Sequence, residues 1–281
     1  MLEDRNHIRH IVLKALEEDM GIAGDLTTDA IVDPESRGRA VLVAREELIL
    51  AGLPVFKMVF MEVCTQIEFE DYYNEGDPVP AGQNICLLKG PISPILKAER
   101  TALNLLQRMC GIATLTGKYV KKVESYKARI LDTRKTAPGL RWTDKYAVRT
   151  GGGFNHRFGL FDGILIKDNH IVAAGSIRSA VESARKKAPH ALKIEVEVED
   201  LAGVEEALQA GADIIMLDNM EPSMMKRAVS LINGRALIEA SGGISLDTVA
   251  EVAGTGVDLI SVGALTHSAR AADLSLEIVS V

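Results

Sequence analysis

Residues 132–170 read DTRKTAPGLRWTDKYAVRTGGGFNHRFGLFDGILIKDNH and set Arg134, Lys135, Arg149, His156, Arg157 and Lys167 around the triplet Gly151–Gly152–Gly153. Guanidinium forks grip carboxylates and phosphates bidentately, and ammonium groups add point charges. The chain as a whole carries a net charge of −7. A local cationic cluster in an acidic chain therefore points to a small ligand with several negative charges. The same acidity argues against general binding of nucleic acid or anionic membrane. Arg141, Lys145 and Arg149 fit ordinary solvated positions equally well, whereas Arg134, Lys135, Arg157 and Lys167 fall at or beside strand ends.

A second set of residues has phosphate chemistry. IEASGGI and ISVGALTHSA place Ser241, Gly242, Gly243, Ser261 and Gly263 where two strands turn into helices. Glycine lets backbone N–H groups approach an anion, and a helix N-terminus adds positive dipole. Glu197 and Asp218 end consecutive strands, beside that turn region. They suit Mg²⁺ held partly through water and substrate phosphates, and they suit ion pairs with Lys135 and Lys167. The strand LKIEVEVED alternates strictly, with Ile194, Val196 and Val198 on one face and Lys193, Glu195, Glu197 and Glu199 on the other. It is expected to aim its three carboxylates into a barrel mouth, toward the cations of 132–170. Serine-hydrolase, zinc-protease and Walker spacings are absent. A Schiff base at Lys135 or Lys167 stays open.

The elements that must position these groups are βα repeats. From about residue 111, apolar strands at 128–134, 163–168, 192–199, 213–218, 236–242 and 258–263 alternate with amphipathic segments of helical period. Such repeats make a parallel sheet, and polar or glycine residues at every strand end favour closure into a six-stranded barrel over a doubly wound sheet. Residues 1–90 read as mixed α and β. A charged amphipathic helix opens the chain at MLEDRNHIRHIVLKALEED, and EEDMGIAGDLTTDAIV reads as turns. A strand follows at 39–46, a helix at 52–63 and a strand–turn–strand at 75–88. Ser93 and Pro94 then open a helix as cap and first-turn residue, with Leu96, Arg100 and Asn104 on one line. No apolar run reaches membrane-spanning or signal-peptide form. Cys64, Cys86 and Cys110 are read as reduced thiols of a cytosolic protein. Residue chemistry thus arrives at a barrel enzyme for a phosphorylated substrate and a polyanionic small molecule, with a non-catalytic binder of phosphorylated metabolites as the rival from another class.

The stretch DTRKTAPGLRWTDKYAVRTGGGFNHRFGLFDGILIKDNHI resembles the quinolinate phosphoribosyltransferases, also called nicotinate-nucleotide pyrophosphorylases (carboxylating). EDMGIAGDLTT, ERTALNLLQRMCGIAT, KIEVEVE, IMLDNM, IEASGGI and GVDLISVGALTHSA extend the resemblance in order over nearly the whole chain. The resemblance implies conversion of quinolinate and phosphoribosyl pyrophosphate to nicotinate mononucleotide, pyrophosphate and CO₂, with Mg²⁺, in NAD biosynthesis in the cytoplasm. It implies that Arg134, Lys135, His156, Arg157 and Lys167 bind quinolinate, joined by Arg100 of a neighbouring subunit. Glu197 and Asp218 would hold Mg²⁺ and the ribose hydroxyls, and Ser241, Gly242, Gly243, Ser261 and Gly263 the 5′-phosphate. Lys135, Lys167, Glu197 and Asp218 would carry the catalysis, and Glu195 would belong to the site. The implied fold is an N-terminal α/β sandwich over 1–110, onto which the tail 268–281 packs, and an incomplete, six-stranded (β/α) barrel over 111–267. Homodimers would be the minimal unit, some members being hexamers. Related readings are a paralogous pyridine or base phosphoribosyltransferase and a Schiff-base barrel aldolase.

Overall fold

Two antiparallel ladders flank the strand Arg37–Ala44 (β1), with Leu274–Ser280 (β12) on one side and Asn84–Pro91 (β5) on the other. This is the centre of a sheet ordered β12-β1-β5-β3, in which β3 is Glu68–Asp71; Leu48–Ile49 (β2) and Pro78–Val79 (β4) form a small separate ladder. The computed structural model describes residues 5–280, so Met1–Asp4 of the expected first helix lie outside the described residues. That helix is observed as α1, Arg5–Met20, which buries Ile8, Val12 and Leu16. DLTTDAI, read as turn, instead makes a short helix α2, Leu26–Ile31, because Asp25 caps it by accepting the N–H groups of Thr27 and Thr28. Helix α3, Leu53–Val63, buries Phe56 and Phe60, and the Phe60 ring meets Phe69 of β3 edge-on at 6.2 Å.

The following helix, α4, runs from Ile92 to Val123. It begins at Ile92, so Ser93 lies inside its first turn with Pro94 and is not its cap. Along the Leu96–Arg100–Asn104 line, Leu96 is half-buried and Arg100 and Asn104 are exposed.

Contacts divide the chain into two units. The one built on the antiparallel sheet comprises 1–117, 136–152 and 268–281, and so takes more than the 1–110 and 268–281 expected for the sandwich. The addition includes α5, Arg141–Thr150, which carries Lys145 almost wholly buried instead of solvated. Arg108 of α4 pairs through both Nε and an Nη with the fully buried Asp144 of α5 at 2.8 and 2.7 Å. A buried bidentate pair of that kind explains why amphipathic α5 sits in this unit.

The second unit, 118–135 and 153–267, holds six parallel strands: Arg129–Leu131 (β6), Ile164–Ile166 (β7), Ile194–Val198 (β8), Ile214–Asp218 (β9), Leu237–Ser241 (β10) and Leu259–Ser261 (β11). Their order is β6-β11-β10-β9-β8-β7, that of an incomplete (β/α) barrel. The connecting helices are α6 (Asp168–Ala174), α7 (Ile177–Lys187), α8 (Leu201–Gln209), α9 (Pro222–Ile232), α10 (Val249–Ala253) and α11 (Ala264–His267). Among the described residues no ladder joins β6 to β7; instead Phe154 bridges to Leu131, its N–H donating to Ile130 O at 2.8 Å. The irregular segment that carries Asn155, His156 and Arg157 thereby lies alongside β6. Among the described residues no helix is long and apolar enough to cross a membrane.

Candidate active site

Strand alternation decides which face a side chain takes, and position along the strand decides its depth. On β8, Ile194, Val196 and Val198 are buried as the apolar face. The other face does not send three carboxylates to one place. Glu195 is buried in the barrel interior, Glu197 lies two residues further along and lines an open cavity, and Glu199 is exposed beyond the end of the strand. The expectation of three carboxylates in the mouth is corrected to one, because each step of two residues moves the side chain about 6.6 Å along the strand.

The cavity, about 650 Å³, gathers the strand ends of this unit. Arg134 and Lys135 reach it from the segment after β6, His156 and Arg157 from the seam segment, and Lys167 from the end of β7. Glu197 and Asp218 line it from β8 and β9, as do Ser241, Gly242 and Gly243 after β10 and Ser261 and Gly263 after β11. Arg100 belongs to the other unit and is not among its lining residues. Thr133 and His267 also line it and were not singled out in the sequence, and Asn219, read only as a polar strand end with no site role, lines it too. Thr133 and Asn219 adjoin residues that were singled out, so strand-end position is the signal that could have found them.

The cationic wall is held from beneath by acids. Asp132, fully buried, accepts the His156 N–H at 2.9 Å through Oδ1 and the Asn155 side-chain amide at 2.5 Å through Oδ2. Arg157 donates to Gly163 O at 3.0 Å, while its Nε is buried without a hydrogen-bond partner. Burial first, and then the nearby charge of Arg134, hold the Arg157 guanidinium below its ordinary pKa, with Glu195 and Asp162 opposing. Two arginines that repel each other in one cavity are a site prepared for an anion of more than one charge.

Lys167 Nζ donates to Glu197 Oε2 at 2.5 Å, so the ion-pair alternative for that carboxylate is realised. Attack by Lys167 as an amine would have to break this contact, which is unfavourable for Schiff-base formation there. On β9, Asp218 Oδ2 accepts from the Asn219 amide at 2.8 Å. Both carboxylates face the cavity with oxygen donors of the kind Mg²⁺ takes.

The glycine turn has a steric cause. Gly242 has φ +92°, and a Cβ there would lie 2.2 Å from Asn219 Oδ1. Any side chain would be strained twice, by backbone and by collision, so the turn can expose its N–H groups closely to a ligand. The expected helix dipole is weak: α10 starts only at Val249 and α11 is four residues long. Backbone amides of the turns, more than helix dipoles, are what this end of the cavity offers.

A family model described as the quinolinate phosphoribosyl transferase C-terminal domain matches residues 112–277, and its N-terminal counterpart matches 25–110. The chain is 44% identical over 276 residues to a probable nicotinate-nucleotide pyrophosphorylase [carboxylating] of Bacillus subtilis (strain 168), covering 96% of this chain and 95% of that one. It is 43% identical to a mitochondrial quinolinate phosphoribosyltransferase [decarboxylating] of Nicotiana tabacum, over 96% of this chain and 82% of that one. The solved nicotinate-nucleotide pyrophosphorylase of Francisella tularensis superposes with a TM-score of 0.94 at 43% identity, over 98% of this chain and 97% of that chain. With two family models accounting for nearly all of the sequence and the same fold in a solved relative, the chain belongs to the quinolinate phosphoribosyltransferase family.

Proposed function

We propose that this cavity transfers the phosphoribosyl group of phosphoribosyl pyrophosphate to the ring nitrogen of quinolinate, yielding nicotinate mononucleotide, pyrophosphate and CO₂. The observation that carries this reading is the convergence of Arg134, Lys135, Arg157 and Lys167 on the cavity that also holds the Gly242–Gly243 turn. Adjacent carboxylates on a pyridine ring need several convergent cations, and a 5′-phosphate needs free backbone donors.

The nitrogen lone pair forms the bond to ribose C1 as the bond from C1 to pyrophosphate breaks. Glu197 and Asp218 favour the positive charge that develops on the ribose, and Lys135 offsets the charge on the leaving group. Departure of the 2-carboxylate as CO₂ then leaves an electron pair on C2, beside the pyridinium nitrogen that stabilises it, and a proton from water takes its place. Glu197 and Asp218 are also the residues that would hold Mg²⁺, which when bound neutralises phosphate charge.

The assembly in this reading is a homodimer that completes each cavity with Arg100 of the other subunit. Its support is the exposure of Arg100 on α4, together with the need of a dianion for a further cation. The compartment is the cytoplasm, in keeping with three unpaired cysteines. The decisive experiment is product analysis with quinolinate, phosphoribosyl pyrophosphate and Mg²⁺. Nicotinate mononucleotide and CO₂ in equal amounts are expected. Binding without turnover would indicate a sensor, and borohydride trapping of a substrate adduct an aldolase.

A further inference from the structure

Asn219, directly after β9, has a backbone that its residue type seldom adopts. Its φ is +53°, and among the described residues only Asn233 shares a positive φ without being glycine. Asn233 ends α9 as a left-handed C-cap, an ordinary structural cause. Asn219 caps no helix, since α9 begins at Pro222 behind Glu221. Left-handed backbone costs an L residue free energy, and it persists where the surroundings impose it, often at ligand sites.

Three contacts impose it here. The Asn219 backbone N–H donates to Ser241 O at 3.0 Å, fastening the end of β9 to the end of β10. Its side-chain Nδ2 donates to Asp218 Oδ2 at 2.8 Å. Its Oδ1 lies against Gly242, filling the space that a Cβ would need there. The amide is thus wedged between the carboxylate that ends β9 and the first glycine of the turn after β10. At Gly243, with φ +60°, a Cβ would meet nothing within 4 Å. The turn is therefore backed by Asn219 at its first glycine and open at its second, and all three residues line the cavity.

We infer that Asn219 is a positioning residue for the phosphoribosyl end of the cavity, setting the spacing between the Asp218 carboxylate and the Gly242–Gly243 turn. A ribose 5-phosphate unit carries its ring hydroxyls and its phosphate at a separation fixed by the sugar. Protein groups that hold both must keep the matching separation before the ligand arrives. One side chain touching both groups, on a backbone tied to Ser241, keeps it. Asparagine suits the position because it tolerates left-handed backbone better than most residues and still reaches Asp218. Glycine would accept the backbone and lose both side-chain contacts. The inference deepens the reading of the cavity as a phosphoribosyltransferase site and rests on it.

Asn219→Gly removes the side-chain contacts and leaves the backbone unstrained. By calorimetry in EDTA, so that no metal contributes, its Kd for ribose 5-phosphate should rise about 10-fold, the effect of losing one hydrogen bond to a charged group. Its Kd for quinolinate should stay within about twofold, as for an independent site. Its Tm should not fall, because glycine suits the left-handed backbone. Unchanged binding of ribose 5-phosphate overturns the inference. So does a lower Tm with equal loss of both ligands, the mark of a merely structural role. Should Asn219→Gly not fold, Asn219→Asp decides: it keeps the shape and tolerates the backbone, but sets an acceptor against Asp218. It should weaken ribose 5-phosphate in the same way, and wild-type affinity overturns the inference. Wild-type protein that fails to bind ribose 5-phosphate would instead refute the underlying functional reading, whatever the variants do.

Discussion

Lys167 Nζ sits 2.5 Å from Glu197 Oε2, joining the ends of the adjacent strands β7 and β8 across the floor of the cavity. The pair binds the one carboxylate of β8 that reaches the cavity to the one cation of β7. Attack by Lys167 on a carbonyl would first have to break this pair.

Lys167 is therefore expected to resist trapping. Borohydride added during turnover should leave activity intact and add no mass to the protein. Loss of activity with a substrate-sized adduct on Lys167 would return the chain to the aldolase reading.

Charge count should set substrate choice. Arg134 and Arg157 repel each other when the cavity is empty, so a ligand with one carboxylate leaves part of that repulsion unrelieved. Nicotinate should be turned over far more slowly than quinolinate, and comparable kcat/KM values for the two would count against the site. Arg134→Lys keeps the charge and loses the planar fork; it should cost about 2–5 kcal/mol in quinolinate binding, read as KM.

Metal dependence should fall on the other substrate. Glu197→Gln and Asp218→Asn should each raise KM for phosphoribosyl pyrophosphate more than KM for quinolinate, and EDTA should abolish turnover. Full activity in EDTA would remove Mg²⁺ from the mechanism.

Glu239 should leave a signature in stability against pH. Its ordinary pKa is 4.5, and in the fold, buried on β10 and facing Glu195 from β8, His156 from the seam segment and Ser261 from β11, it rises to about 8. Between those values the unfolded chain has released the proton and the folded chain still holds it, so stability falls as pH rises through that window and levels off above it. Gln carries no such proton. The melting temperature of Glu239→Gln relative to wild type should climb from pH 5 to pH 8 and then stay flat. A difference that does not vary with pH would show Glu239 ionised in the fold.

Shared sites should complement. If Arg100 serves the partner's cavity, a mixed dimer of Arg100→Ala and Lys135→Ala chains has one site lacking both residues and one intact. Co-refolding two inactive variants should then restore about a quarter of wild-type activity for random pairing. Inactive heterodimers, verified by mass, would place Arg100 outside the site.

What the sequence determined by itself is the set of strand ends. All six parallel strands fall within the apolar runs read from it, and of the residues read at or beside their ends, Arg134, Lys135, His156, Arg157, Lys167, Glu197, Asp218, Ser241, Gly242, Gly243, Ser261 and Gly263 line the cavity, whereas Glu195 and Glu199 do not. Alternation of apolar and polar residues is a local property, and a strand buried on its helix-facing side prints it directly in the chain. Depth is not local. Lys193, Glu195, Glu197 and Glu199 share one face in the sequence, yet the cavity takes only Glu197, because where a strand passes from interior to mouth depends on its neighbours. Likewise nothing near Glu239 marks it as a partner of Glu195 and His156, since β8, β10 and the seam segment meet only when the sheet curves. Helix α5 shows the same limit: the sequence reading set no helix at 141–150, and the pairing of Arg108 with Asp144 is what ties it to the unit of the antiparallel sheet.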